Sequence, residues 1–405
     1  MIYIVSAVTA LAGAALVWVF WRMHRRNAFI WLPAYIKGDW AGSREEPAPG
    51  GPVHVLFCVA DHFEPGWNHA DPALQIERVD EWVKEYPSLA DEFRDADGVR
   101  PQHTFFFPAE QYRPELIDRL RQLVAYGYGE VEVHLHHDGD TSEGTSRKLQ
   151  EFTEQLERHG LLGVDFWSGN RRFGFIHGNW ALDNSLPGGE WCGVNDQLKV
   201  LRRRGCYADF TLPSAPSAAQ TRRINSIYYA KDDPHSPKSH DDGREVQSQG
   251  STEGDLMLIQ GPLGMVWPGG KFGILPRLIN GAVPGGGQLN PRRVDTWINT
   301  RVCVAGRPEW VFVKLHTHGC NPRNSRSLLG RPWEMVHRYL GKAYNDGKNY
   351  KLHYVTAREM FNIVKAAEKG LTGDPGQYRD YRILPPPAAR AEEEKSKTKE
   401  AVIER

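Results

Sequence analysis

Short apolar runs typical of strands alternate with amphipathic stretches typical of helices from about residue 53 to residue 370. This alternation predicts a parallel sheet covered by helices, because a parallel connection usually returns through a helix. The clearest predicted strands are 53–60, 103–107, 130–136, 172–177 and 309–316. About seven or eight strand–helix units favour an α/β fold of the distorted (β/α)7-8 barrel type, and an open doubly wound sheet is the alternative.

The chain divides into four parts on this interpretation. A membrane anchor at 1–22 and a juxtamembrane segment with a linker at 23–52 precede the barrel at 53–370. Residues 214–260 form a polar stretch too long for an ordinary connection, so we predict an insertion over one mouth of the barrel. The last part, 371–405, ends in a charged run with few large apolar side chains, which predicts a disordered tail.

The N-terminal apolar run predicts the membrane anchor. Ile2–Trp21 has no charged residue, and twenty helical residues span ~30 Å, the thickness of a bilayer core. A basic cluster at 22–26 follows the run, whereas a cleaved signal would carry its charge before it. We therefore expect one span in a bacterial-type cytoplasmic membrane. The positive-inside rule favours a cytoplasmic barrel, with a periplasmic barrel as the alternative.

Charge and cysteine content exclude several classes of protein. Fifty basic residues balance fifty acidic ones, so no bulk field favours a nucleic acid partner. The five cysteines are an odd number and include no CxxC pair, which argues against a disulfide framework. We expect buried free thiols.

Polar side chains that can do chemistry follow four of the predicted strands. They are Asp61, His62 and Glu64 after the first; His134, His136, His137, Asp138 and Asp140 around the third; His177 and Asn179 after the next; and His316 and His318 after the late strand. Barrels and open α/β sheets build their active sites at the carboxyl ends of their strands. Agreement among four strands therefore predicts a functional site at this end.

Strand alternation predicts which of these side chains point inward. Apolar residues at 131, 133 and 135 share one face of the third strand, so His134 and His136 face the other way. His316 of the late strand faces inward by the same argument. Paired imidazoles with nearby carboxylates predict a site for a divalent metal ion, with Zn²⁺ the expected ion. The alternative is a hydrogen-bonded polar mouth without an ion.

The order of motifs resembles the NodB-like polysaccharide deacetylases, carbohydrate esterase family 4. Four segments carry the resemblance: VADHFEP at Val59–Pro65, TFFF at Thr104–Phe107, Gly129–His136 followed by HDGD, and Lys314–His316. The resemblance covers about residues 53–364 in motif order. It implies a deacetylase-like barrel, a divalent metal ion and a glycan substrate.

The resemblance also implies a role for each matched residue. Asp61 takes the place of the general base and His316 that of the general acid. The implied metal ligands are His62, which replaces an aspartate, His136, and Asp140, which replaces a histidine; His134 and His137 are alternatives. Residues expected to contact substrate are His177, Asn179, Trp180 and His318, with Trp67 and Trp191 as further platforms for sugar rings.

The expected function is that of a membrane-anchored, metal-dependent hydrolase. It would remove N-acetyl or O-acetyl groups from a cell-surface polysaccharide, a lipopolysaccharide or a lipid-linked precursor. The altered motifs keep two alternatives open: a catalytically inactive, glycan-binding relative, and a different metal hydrolase on the same barrel.

Overall fold

The structure is a computed structural model that describes residues 2–266, 276–285 and 289–390, with the side chains of 2–5 and 7–12 left out. The fold is mixed α/β, built on a large and mostly parallel sheet of 12 strands. The α/β prediction is confirmed at this level.

Helices and strands alternate along most of the chain. The helices are α1 Ile2–Arg25, α2 Ala28–Lys37, α3 Ala41–Arg44, α4 Pro72–Ala90, α5 Pro114–Ala125, α6 Ser142–Arg158, α7 Gln197–Arg203, α8 Pro291–Asn299, α9 Pro322–Leu328, α10 Arg331–Ala343 and α11 Ala357–Glu368. The strands are β1 Val53–His62, β2 His103–Pro108, β3 Gly129–Leu135, β4 Gly163–Asp165, β5 Arg171–His177, β6 Cys206–Asp209, β7 Ile227–Ala230, β8 Gly243–Glu245, β9 Leu256–Ile259, β10 Leu263–Val266, β11 Arg277–Asn280, β12 Trp310–Thr317, β13 Tyr350–Tyr354 and β14 Ile383–Leu384.

The main sheet runs in the order β12-β1-β2-β3-β5-β6-β9-β7-β8. Its pairs from β12 to β9 are parallel, and β7 pairs antiparallel with both β9 and β8. Within the described residues, β12 is joined to the preceding segment 281–302 by one isolated bridge, between Ala282 and His316, and by single hydrogen bonds. Because no ladder closes the sheet there, the barrel stays a prediction.

Two apolar layers lie on the two faces of the parallel strands. Side chains such as Val55, Val131 and Val133 pack outward against helices α4, α5 and α6. Alternate residues such as Leu56 and Phe106 form the inner layer. The predicted alternation is therefore correct, and it sends every second side chain at the strand ends into the interior.

The N-terminal segment is helical from Ile2 to Arg25. Among the residues that the structure describes, no helix is both long and apolar enough to cross a membrane. Much of the apolar run predicted to be an anchor, 1–22, lies outside the described side chains. The membrane anchor therefore stays a prediction.

The predicted juxtamembrane segment and linker, 23–52, is docked on the sheet domain. Trp40 is buried and its indole N–H donates to the carbonyl of Thr300 at 3.0 Å. The Glu45 carboxylate accepts from the backbone N–H of Gly306 at 2.7 Å. Apolar contacts of Trp31 and Trp40 and these hydrogen bonds thus hold the segment against the sheet domain.

The predicted insertion at 214–260 contributes three strands, β7, β8 and β9, to the sheet. β7 and β9 pair along four residues each, and Ile227 and Tyr228 are fully buried. The polar composition of this stretch obscured the buried strand β7, and the placement of the segment over the mouth of a barrel stays a prediction.

Part of the segment predicted to be a disordered tail, 371–405, is folded. Ile383 pairs with Asp165 of β4 and is 1% exposed. Arg379 forms ion pairs with Asp95 and with Glu359, each at 3.1 Å. Residues 371–390 are therefore part of the fold, and 391–405 lie outside the described residues.

Candidate metal centre

Histidines from two strand ends converge inside the sheet. His62 ends β1, His134 lies in β3 and His136 follows it. The ring centroids of His62 and His134 are 4.9 Å apart, and those of His134 and His136 are 4.5 Å apart. Alternation brings them together because all three occupy inward positions at the ends of β1 and β3, which lie on either side of β2. The structure thus joins three of the four predicted ligands.

The carboxylate of Glu64 lies at the centre of this group. Its Oε1 is 3.1 Å from His136 Nε2 and 3.4 Å from His134 Nε2. Its Oε2 is 3.0 Å from His318 Nδ1. Burial alone would raise the pKa of Glu64, but hydrogen bonds from these histidines hold it well below its usual range. Glu64 is therefore an anion shared by three imidazoles.

The far nitrogens of two of these rings fix how the rings point. His134 Nδ1 lies 2.9 Å from the carbonyl oxygen of Ile176, and His136 Nδ1 lies 2.6 Å from Glu110 Oε1. Metal-binding histidines usually donate this second N–H to a carbonyl or carboxylate, which leaves the other nitrogen for the ion. In His134 and His136 this other nitrogen, Nε2, faces Glu64.

His62 provides the most direct sign of a missing ligand. It is 1% exposed, and its Nε2 has no hydrogen-bond partner among the described residues. A buried polar atom without a partner costs free energy, so such atoms are rare in proteins. The ring centroid of His318 lies 4.7 Å from that of His62. An ion bound beside Glu64 would satisfy this nitrogen, and the donor set of imidazoles and one carboxylate suits Zn²⁺.

The protonation of the cluster differs from ring to ring. Burial lowers the pKa of His62 well below its ordinary value, and repulsion by His318 and His134 adds to this. Burial would also lower the pKa of His136, but hydrogen bonds with Glu110 and Glu64 raise it to about 9. A proton on His136 thus balances the carboxylates in the ion-free protein.

Two tryptophans flank the open side of the cluster. The Trp67 ring centroid is 5.1 Å from His318, and the Trp180 ring centroid is 6.0 Å from both His318 and His62. Both indoles are partly exposed. Trp180 and His318 were predicted to contact substrate; Trp180 stands at the rim, and His318 is itself a candidate ligand.

Asp61, predicted as the general base, faces away from the cluster. Its Oδ2 lies 2.8 Å from His103 Nε2, and its Oδ1 accepts from the backbone N–H of Gly319 at 2.6 Å. It is fully buried among side chains of the outer layer, beside Trp82. Adjacent residues of one strand point to opposite faces, so Asp61 and His62 cannot both line the interior.

Asp140 and His177 belong to a different group. Asp140 Oδ2 lies 2.9 Å from His137 Nδ1 and accepts from Lys148 at 2.8 Å. His177 is fully buried, and its Nε2 lies 2.9 Å from His137 Nε2. The structure therefore removes Asp140 from the predicted ligands and His177 from the predicted substrate contacts. Both lie on the helix-covered side of the sheet.

His316 faces the interior as predicted, with its ring centroid 6.5 Å from that of His62. Burial, with repulsion by Lys314 and His318, lowers its pKa well below the ordinary value. The imidazolium needed for the predicted general acid is therefore disfavoured in this structure. Asn179 is exposed and in the left-handed backbone region, with φ 53°. It adjoins the rim as part of the turn that carries Trp180.

Sequence reasoning left two central residues without a role. Glu64 was noted after the first strand, but the motif match assigned no function to it. Glu110 lies beyond β2 and was not singled out. The position of Glu110 directly after a predicted strand could have identified it, because the carboxyl ends of parallel strands meet at one edge of the sheet.

A cavity of about 1260 Å³ lies beside the docked N-terminal segment. Its walls come from the loops at 184–189 and 231–239, with Asn27 and Ile30 next to α1. The histidines of the metal centre do not line it. The candidate metal centre and this cavity are therefore separate sites.

Comparison with known proteins adds no assignment. The sequence matches no protein-family model, and no curated protein matches it at a significant level.

Proposed function

We propose that this chain is a metal-dependent hydrolase whose ion is held at the strand ends by His62, Glu64, His134, His136 and His318. The observation that carries the proposal is the orphaned, buried Nε2 of His62 beside a carboxylate already shared by three imidazoles. A cluster of hydrogen bonds alone leaves that nitrogen unsatisfied, whereas a bound divalent ion gives it a partner.

The bound ion would supply a polarised carbonyl and a water of lowered pKa, the two needs of amide hydrolysis. The chain's own residues supply orientation and proton transfer. Glu110 is a partly exposed carboxylate hydrogen-bonded to His136, and we assign it the role of accepting the proton of the attacking water. It replaces Asp61, which the outer layer holds out of reach.

We propose an N-acetylated glycan as the substrate, with an O-acetyl ester as the second choice. The resemblance to the polysaccharide deacetylases in motif order supports the acetyl group. The partly exposed Trp67 and Trp180 support the sugar, since aromatic faces pack on apolar faces of sugar rings. We also propose that the sheet closes into a distorted barrel and that an N-terminal membrane anchor precedes it. Exposed apolar side chains such as Leu16 and Val17 on α1 support the anchor.

The test compares two buried histidines. His62→Gln removes a ligand, whereas His337→Gln changes a histidine of α10 that bonds Tyr354 and belongs to no group of candidate ligands among the described residues. We expect His62→Gln to lose about one Zn²⁺ per chain and to abolish acetate release from N-acetylglucosamine oligomers. His337→Gln should retain both the ion and the activity.

Other outcomes separate the alternatives. Unchanged metal content in folded His62→Gln would contradict the metal centre. Metal binding without release of acetate from any N- or O-acetylated glycan would favour a binding protein or a hydrolase of another class.

A further inference from the structure

A second group of candidate metal ligands lies on the other side of the sheet, beneath α6 and α7. His137 follows β3, His177 ends β5, and Cys192 lies in the loop before α7. All three are buried, and their ligand atoms lie within 4.8 Å of one another. Successive residues of an extended chain point to opposite faces, so His137 is separated from the centre that contains His136.

Hydrogen bonds indicate which ring nitrogens of His137 and His177 carry protons. His177 Nδ1 lies 2.7 Å from the carbonyl oxygen of Gly178, so Nδ1 donates and Nε2 carries a lone pair. His137 Nδ1 lies 2.9 Å from the carboxylate of Asp140 and donates to it. Gln197 accepts a backbone N–H through Oε1, so its Nε2 donates to His137 Nε2 at 3.0 Å.

His137 Nε2 and His177 Nε2 face each other across 2.9 Å. The amide nitrogen of Gln197 lies 3.0 Å from His137 Nε2, and the ligand atoms of His137, His177 and Cys192 lie within 4.8 Å of one another. Each ring also donates its remaining N–H to a carbonyl or a carboxylate, the arrangement that orients histidines toward a metal ion. Both observations indicate a cation between the rings.

We propose that His137, His177 and Cys192 bind a structural Zn²⁺ ion, distinct from the ion of the proposed hydrolytic site. Two nitrogens of a tetrahedral zinc site lie about 3.3 Å apart, so the rings need separate by only a few tenths of an ångström. On binding, the thiol of Cys192 loses its proton to solvent and the thiolate becomes the ligand. The side-chain amide of Gln197, with its Oε1 3.7 Å from Cys192 Sγ, stands beside the fourth position.

The site would fix the loop that carries Trp180. That loop leaves the sheet at His177 and returns at Cys192, whose carbonyl accepts from the backbone N–H of Asp140 at 2.9 Å. An ion held at both ends would clamp the loop against β3. The rim of the hydrolytic site thus depends on an ion that takes no part in the chemistry.

Cobalt substitution of the full chain tests the proposal. Thiolate bound to Co²⁺ gives a near-ultraviolet charge-transfer band, and the five side chains of the hydrolytic site include no cysteine. We expect the band in protein stripped with a chelator and reloaded with Co²⁺. Cys192→Ser should lose the band and about one of two Zn²⁺ ions. The matched control Cys206→Ser, which changes another buried thiol, should keep both.

Absence of the band from the wild-type chain overturns the proposal, and so does a band that survives in Cys192→Ser. The wild-type spectrum alone is decisive if a variant fails to fold. Loss of metal in His62→Gln but not in Cys192→Ser would refute this site and leave the hydrolytic site standing; the reverse pattern would refute the hydrolytic site alone.

Discussion

Glu110 is the residue on which the proposed chemistry depends most. Its carboxylate is partly exposed and accepts a hydrogen bond from His136, so it both orients a ligand and can accept a proton. Positioned bases of this kind typically contribute ~10²–10⁴-fold in rate.

Glu110→Gln should therefore lower the rate of acetate release on that scale. The glutamine oxygen still accepts from His136, so bound Zn²⁺ should remain near the wild-type level. Glu115→Gln, a change in a partly exposed carboxylate of α5, is the matched control and should leave the rate unchanged. Full activity in Glu110→Gln would remove Glu110 from the mechanism.

A second single residue, Asp61, has a positioning role: it holds the backbone next to His318. It accepts from the backbone of Gly319, directly after His318, and it bonds His103 inside the outer layer. Each buried donor left without an acceptor costs roughly 1–3 kcal/mol.

Asp61→Ala should lower the free energy of unfolding by roughly 2–6 kcal/mol, because it leaves two buried donors unsatisfied. Asp61→Asn keeps an oxygen for Gly319 and should lose less. Urea denaturation followed by circular dichroism measures both. A fully stable but inactive Asp61→Ala would restore Asp61 as the catalytic base.

At the scale of elements, the C-terminal segment closes the amino-terminal end of the parallel strands. β14 pairs with β4, and the guanidinium of Arg358 on α11 donates to the carbonyl of Ile383 at 2.6 Å and to Asp380 at 2.6 Å. Arg358 also pairs with the buried carboxylate of Glu130 at 2.8 Å. The segment thus helps to hold a buried charge network in place.

Truncation after residue 370 should lower the free energy of unfolding by at least about 3 kcal/mol. Burial of an isoleucine contributes ~1.5–3 kcal/mol, and each hydrogen bond to a charged group about 1.5–3 kcal/mol. Truncation after residue 390 keeps every contact named above and is the control. Equal stability of the two truncated chains would contradict this role of the segment.

At the scale of the whole molecule, buried neutral histidines make stability depend on pH. Burial lowers the pKa of His337 to about 3, and the phenol of Tyr354 donates to its Nδ1 at 2.9 Å. Between pH 6.5 and about 3 the unfolded chain binds a proton that the folded chain does not. The free energy of unfolding therefore falls as pH falls through this window, and the contribution is fully present above pH 6.5.

His337→Gln should reduce the slope of stability against pH by about 1.4 kcal/mol per pH unit in this window. The glutamine oxygen can accept from Tyr354, so the variant keeps the hydrogen bond and loses the titration. Urea denaturation at pH 7, 6 and 5 measures the slope. Parallel slopes for the variant and the wild type would show that His337 does not titrate on unfolding.

Local periodicity determined much of this protein. The strand predicted at 53–60 lies at Val53–His62, and the strand predicted at 130–136 lies at Gly129–Leu135. The inward direction of His134 and His136 was also predictable, because alternation along a strand is a property of the backbone itself. Applied to β1, the same rule excludes Asp61 from the metal centre, because its neighbour His62 faces inward.

Only the tertiary structure decided which strand ends meet. Glu64 and His318 are 254 residues apart in sequence, and their contact depends on β1 lying beside β12. The burial of β7 and β9 and the docking of 371–390 depend equally on distant partners. Periodicity is local, whereas pairing and burial are set by the free energy of the whole chain. The sequence therefore determined the faces of the strands, and the fold determined the neighbours across which the metal centre forms.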